Sequence, residues 1–99
     1  MRPNSIRSLN NILFVEDVSL LDIAKKYPTP FYIYSKKMIL AAIDSYLRNI
    51  RERDLVCYSV KANSNLAILK IMAENGMGFD VVSGGELFKV LKIGADPQK

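Results

Sequence analysis

Lys61 lies at the end of a short apolar run, Tyr58-Ser59-Val60-Lys61-Ala62-Asn63, just before a polar turn. A lysine held half-desolvated at the mouth of a parallel sheet gives up its proton more readily, which frees the amine to condense with a carbonyl. The plainer reading is a lysine that closes a strand and carries its ammonium out to water. Ser59 and Cys57 share the parity of Lys61 along the strand and are small, which leaves room for a ligand. Val56, Tyr58 and Val60 alternate with them and are bulkier, as packing under helices requires.

Nineteen positions after Lys61, a second apolar run carries Asp80 within Gly78-Phe79-Asp80-Val81-Val82. An acid inside an apolar strand is costly unless it is paired or solvated at a mouth. Asp80 is therefore either half of a structural ion pair or a charge that steadies a protonated imine on Lys61. Ser83-Gly84-Gly85-Glu86 follows with the spacing of a capping box, which accounts for Glu86 without chemistry. The N–H groups of the same tight turn are able to hold an anion. Asn63 and Asn65 suit a turn and a helix cap.

The elements that must position these residues are legible in outline. Ile12 to Val15 is a strand candidate, and Ser19 opens a helix with Asp22 three positions on. Leu20, Leu21, Ile23 and Ala24 give that helix a buried side, and Pro28-Thr29-Pro30 ends it. Phe31-Tyr32-Ile33-Tyr34 is aromatic and β-branched and reads as a strand. Ser35 caps a helix predicted from Lys36 to Arg53, with Ile39, Ile43, Tyr46, Leu47 and Ile50 as its apolar stripe. Leu55 to Val60 is the next strand, and Leu66 to Glu74 the next helix, stopped by Asn75-Gly76. Phe79 to Val82 is a further strand, and the last helix runs from the Ser83 cap to Gly94, with Pro97 beyond it.

Strands and helices alternate in the second half with short turns. That pattern implies βαβ units with parallel strands and right-handed crossovers. Sites in such sheets gather at the C-terminal ends of the strands, where Lys61 and Asp80 fall. Neighbouring strands lie roughly 5 Å apart, close enough for both side chains to reach one ligand.

Composition narrows the function classes. The chain has 99 residues, 49% hydrophobic and 24% charged, in the range of a globular domain with a modest core. The longest apolar run, Met38 to Ile43, is far short of the roughly 20 residues of a spanning helix, so no membrane partner is expected. The net charge of +4 is spread along the chain: Lys36, Lys37, Arg48, Arg51 and Arg53 are interleaved with Asp44, Glu52 and Asp54. That is the mark of a solvated helix face, not of a nucleic-acid interface. With no histidine and one cysteine, Cys57, histidine triads, histidine or thiolate metal sites and intrachain disulfides have no ligands here, and a reducing, cytoplasmic setting is expected. Arg2 and Arg7, in an opening stretch without acids or a signal core, suggest a frayed terminus or a transit peptide.

At these residues the chain resembles the N-terminal part of the diaminopimelate decarboxylase family, pyridoxal-phosphate enzymes built on an alanine-racemase-like barrel. Four segments match in order, over roughly residues 10 to 99. Thr29-Pro30-Phe31-Tyr32-Ile33-Tyr34 is similar to the strand that leads into the barrel, and Tyr58 to Asn65 to the cofactor-lysine motif, with Ser59 where alanine is more usual. Gly76 to Leu87 is similar to the next strand and turn, and Gly94-Ala95-Asp96-Pro97 to the loop after it. The Ser83-Gly84-Gly85-Glu86-Leu87 turn favours this family over its ornithine and arginine relatives.

The resemblance implies an α/β fold: the first βα units of a pyridoxal-phosphate-binding (β/α)8 TIM barrel, truncated. Residues 1–28 would form a strand and helix before the barrel, and residues 29–99 its incomplete N-terminal part. Lys61 would be the catalytic lysine that holds pyridoxal phosphate as an imine, with Asp80 and Glu86 lining the cofactor side of the pocket. The family activity is decarboxylation of meso-diaminopimelate to L-lysine, with the cofactor as electron sink. A whole barrel takes about 250 residues. The phosphate loop, the acid facing the pyridine nitrogen and the substrate-specificity residues are therefore expected outside this sequence. Two units of an open barrel leave unpaired strand edges and uncovered apolar faces, so poor stability and no activity are expected of the chain by itself. The full-length family forms homodimers with shared sites, and the partner expected here is such a homodimer mate or a complementary fragment. The alternatives are a non-catalytic remnant or interaction module, and a piece of a related decarboxylase acting on another basic amino acid.

Overall fold

The computed structural model describes residues 4–99, and the chain divides between Ala42 and Ile43 into two compact units. In the first unit, β1 (Ile6–Leu9), β2 (Ile12–Val15) and β3 (Val18–Ser19) form an antiparallel sheet in that order. The register Leu9↔Ile12 leaves Asn10-Asn11 as a two-residue turn, with φ of 52° and 62°. A turn with both residues at positive φ matches the right-handed twist of paired strands, and asparagine tolerates it better than other residues with a Cβ. The segment from Ile6 to Leu9 is thus a paired strand and not a frayed end. Arg7 crosses to the Phe14 ring, 5.8 Å from its centroid, and to Asp17 at 3.2 Å. Met1, Arg2 and Pro3 lie outside the described residues.

Helix α1 (Leu20–Lys26) starts where Ser19 predicts, with Ser19 Oγ accepting from the Leu21 amide at 3.2 Å. Its expected buried side does not form: Leu20 and Ile23 are half-buried, and Leu21 and Ala24 are exposed. A seven-residue helix beside so small a sheet has little surface to bury against. Phe31 to Tyr34 does not form a strand, and Tyr32 is 90% exposed. Aromatic and β-branched residues favour a strand only when a neighbouring ladder accepts their backbone, and none does among the described residues.

Helix α2 (Lys36–Leu47) spans the division between the units. Ser35, buried, caps it: its Oγ accepts from the Met38 amide at 3.2 Å and donates to Glu16 Oε1 at 2.9 Å. The same Glu16 oxygen accepts from the Lys37 amide at 2.8 Å. Glu16 has φ of 54° in the two-residue turn between β2 and β3, at a place glycine usually takes. The helix stops at Leu47, six residues before the predicted end. Asn49 accounts for the stop: its amide bonds back to the Tyr46 carbonyl at 3.0 Å, and its Nδ2 takes the Ser45 carbonyl at 2.7 Å. Arg51 and Asp54 then close a separate turn. Tyr46, placed in the apolar stripe by its spacing, is exposed, whereas Ile43 is buried.

The second unit contains two successive strand–helix units: β4 (Cys57–Ser59), a 3-10 turn (Val60–Ala62) and α3 (Leu66–Glu74), then β5 (Gly78–Asp80) and α4 (Gly84–Lys92). The two strands pair in parallel with Cys57↔Gly78, Tyr58↔Phe79 and Ser59↔Asp80. Both are shorter than their apolar runs, because a two-stranded ladder fixes only the residues that face each other. The helices keep their predicted starts. Asn65 Oδ1 caps α3 through the Ala67 amide at 2.9 Å, and Ser83 Oγ caps α4 through the Glu86 amide at 3.1 Å.

Both helices end in the same motif. After α3, the Met77 and Gly76 amides return to the Met72 and Ala73 carbonyls; after α4, Ala95 and Gly94 return to Val90 and Leu91. Gly76 and Gly94 have φ of 82° and 83°, the left-handed geometry that this closure requires. Val60, Leu69 and Val90 form the core beneath, with Tyr58, Phe79, Val81, Ile93 and Ala95 packed on it. No helix among the described residues is long and apolar enough to cross a membrane.

Candidate cofactor-lysine site

The site is built at the C-terminal ends of β4 and β5. Val60 is fully buried and anchors the 3-10 turn in the core, while Lys61 and Ala62 project from it into solvent. Lys61 is thus in the turn after the strand, not its last residue, and is exposed instead of half-desolvated: two strands do not make a wall around it. Among the described residues no carboxylate oxygen lies within 4.0 Å of its amine.

Asp80 ends β5 directly opposite Ser59. Ser59 Oγ donates to Asp80 Oδ2 at 3.2 Å, and both side chains share the open face with Cys57. The alternation read from the sequence holds on the other face, where Tyr58 packs on the core. Asp80 forms no ion pair among the described residues; its carboxylate is exposed at the strand end and takes the Ser59 hydroxyl as its hydrogen-bond partner.

Glu86 lies in the first turn of α4, half-buried. Its Oε1 accepts from the Val82 amide at 2.9 Å while its own amide donates to Ser83 Oγ. This is a capping box that reaches one residue further back than usual. It fixes the β5–α4 turn and commits one carboxylate oxygen of Glu86 to the backbone.

Three contacts around Lys61 escaped the sequence reading. Tyr58 Oη donates to the Asn63 carbonyl at 2.9 Å, and Lys89 Nζ donates to Ser64 Oγ at 2.9 Å and to the Ser64 carbonyl at 3.4 Å. The turn role expected of Asn63 is met: its Oδ1 accepts from the Asn65 amide at 3.0 Å. The legible signals were a tyrosine on the core side of its strand, whose hydroxyl needs a partner, and a lysine on the stripe Glu86, Lys89, Val90, Ile93.

Lys61 thus stands exposed in the turn after β4, without an ion pair among the described residues, two residues beyond the Ser59–Asp80 contact. Residues 36–99 match the family model of the pyridoxal-dependent decarboxylase, pyridoxal binding domain, and the chain belongs to that family. It is similar to the diaminopimelate decarboxylase of Pseudomonas aeruginosa, 48% identical over 88 residues, which are 88% of this chain and 21% of that one. It is 44% identical to the Vibrio cholerae diaminopimelate decarboxylase over the same shares. Among solved structures, an Aquifex aeolicus protein superposes with a TM-score of 0.89 at 39% identity, over 94% of this chain and 23% of that one. The diaminopimelate decarboxylase of M. jannaschii in complex with L-lysine gives 0.84 at 31% identity, over 91% and 22%. The chain therefore spans about a fifth of the length of the relatives it matches. Its α/β architecture corresponds to the N-terminal region of these pyridoxal-dependent enzymes.

Proposed function

We propose that this chain supplies the cofactor-holding lysine of a diaminopimelate decarboxylase, and that Lys61 is that residue. The observation that carries the reading is the position of Lys61, exposed and without an ion pair among the described residues, two residues beyond the Ser59–Asp80 contact at the strand ends. These donors fit pyridoxal phosphate, whose aldehyde needs a primary amine not already engaged by a carboxylate.

When bound, the cofactor supplies the electron-poor ring that takes up the electron pair left as carbon dioxide departs. Lys61 would hold it covalently through Nζ. Asp80 would oppose positive charge at that nitrogen, and the Ser59 hydroxyl keeps the Asp80 carboxylate in place from across the ladder. Glu86 would shape the cofactor side by fixing the turn after β5. In this reading residues 29–99 belong to the barrel and residues 1–28 precede it.

The substrate we propose is meso-diaminopimelate and the product L-lysine, in the cytoplasm. The names of the relatives and the L-lysine complex of the M. jannaschii enzyme support this. The partners we propose are a second subunit, as in the homodimers of the full-length family, or a complementary fragment that carries further barrel strands. The test is borohydride reduction with pyridoxal phosphate, followed by peptide mapping. Selective label on Lys61 is the expected result, and equal label on Lys36, Lys70 and Lys92 would remove Lys61 from the role.

A second reading, a non-catalytic interaction module, draws on the exposed Leu87, Phe88 and Leu91 of α4. Co-expression with the rest of the barrel in a lysine-requiring host separates the two. Growth without lysine supports the split enzyme, and failure to grow supports the module.

A further inference from the structure

The turn that carries Lys61 is held at both ends. At its start Val60 is fully buried; at its far end Tyr58 Oη binds the Asn63 carbonyl, and Lys89 reaches from α4 to Ser64, twenty-five residues away in sequence. Lys89 is half-buried, and its neighbours on the same helix stripe are Glu86, Val90 and Ile93. A lysine in that setting ordinarily takes its ammonium out to water. Here the ammonium stays and spends its hydrogen bonds on the turn, where a charged donor bonds more strongly than a neutral one. Lys61 and Ala62 are left as a short exposed span between fixed points.

We propose that Lys89 is a positioning residue for the Lys61 amine. By holding Ser64 from α4 it fixes the far end of the turn and so sets where Lys61 projects over the ends of β4 and β5. This rests on the reading of Lys61 as the cofactor lysine.

Two measurements on the full chain test it, and they fail separately. In the first, hydrogen exchange of the amides from Lys61 to Asn65 is followed without cofactor. Lys89→Met should accelerate it about tenfold, the loss expected for one charge-assisted hydrogen bond, with the interior of α3 unchanged. Lys89→Arg, which keeps a charged donor, should restore protection. In the second, borohydride labelling of Lys61 by pyridoxal phosphate should drop in Lys89→Met and recover in Lys89→Arg.

Ser64→Ala keeps the Lys89 charge but removes its nearer acceptor, and should fall between wild type and Lys89→Met in both measurements. If Ser64→Ala behaves as wild type in both, Lys89 acts through its charge or not at all, and the proposal is overturned. Wild-type protection of the turn in Lys89→Met overturns it too. Absence of selective Lys61 labelling in the wild-type chain instead overturns the cofactor-lysine reading, while the exchange result still decides what Lys89 does to the turn.

Discussion

Ser59 and Asp80 face each other across the parallel ladder, and the serine hydroxyl donates to the carboxylate at 3.2 Å. The contact ties the two strand ends together next to Lys61. It also uses one oxygen of the Asp80 carboxylate. Asp80→Asn should keep the tie and lose the charge, lowering pyridoxal-phosphate labelling of Lys61 by at most about fivefold, because an exposed pair is worth no more than about 1 kcal/mol. Ser59→Ala should change labelling less than Asp80→Asn does. Peptide mapping after borohydride reduction measures both, and the opposite order would show that the hydroxyl matters more than the charge.

Leu69 is fully buried at the centre of the second unit. Leu69→Ala should cost about 2–5 kcal/mol. So small a core has little reserve, so loss of the cooperative urea transition by circular dichroism is the expected outcome.

Gly78 is a position of close approach. A methyl group built there would lie 2.9 Å from Cys57 Sγ, 3.0 Å from Leu55 Cδ2 and 2.5 Å from the Lys99 carbonyl oxygen. Gly78→Ala should destabilise by about 1–3 kcal/mol through overpacking. Adding Cys57→Ala should return part of that loss, and a double-mutant cycle in urea reads the coupling.

Arg51 donates to Asp54 twice from its side chain and once from its backbone amide, and these bonds hold the Asp54 carboxyl below its ordinary value of 3.8. A folded-state pKa depressed in this way contributes stability above pH 3.8 that is lost as the pH falls through the folded value. The pair is open to solvent, so salt should weaken it. An NMR titration should place the Asp54 midpoint below 3.8 at low salt and move it upward in Arg51→Met.

What was legible in the sequence was what neighbouring residues decide among themselves. The starts of α3 and α4 follow from Asn65 and Ser83, and their ends from Gly76 and Gly94, because caps and left-handed stops are settled within a few residues. The parallel pairing of β4 with β5 followed from the order of elements. What depended on distant partners was not legible. Phe31 to Tyr34 has strand chemistry and no ladder. Arg48 to Arg53 continues a helical pattern, but Asn49 turns its amide and side chain back on the helix. Of the first hairpin only Ile12 to Val15 was read as a strand; β1 went unread although Asn10-Asn11 marks the turn, since every residue of it is exposed. The Lys89–Ser64 bond joins residues whose spacing carries no sign of it.

The turn at Glu16 has a consequence for redesign. A hairpin optimised by itself would take glycine there and relieve a backbone at φ 54°. The same change would strip Ser35 and the Lys37 amide of their shared acceptor and unfasten the start of α2 from the sheet. Local comfort and long-range fastening compete at this one position, and the chain has settled for the fastening. Any consensus or stability screen that scores turns one at a time would choose the wrong residue here.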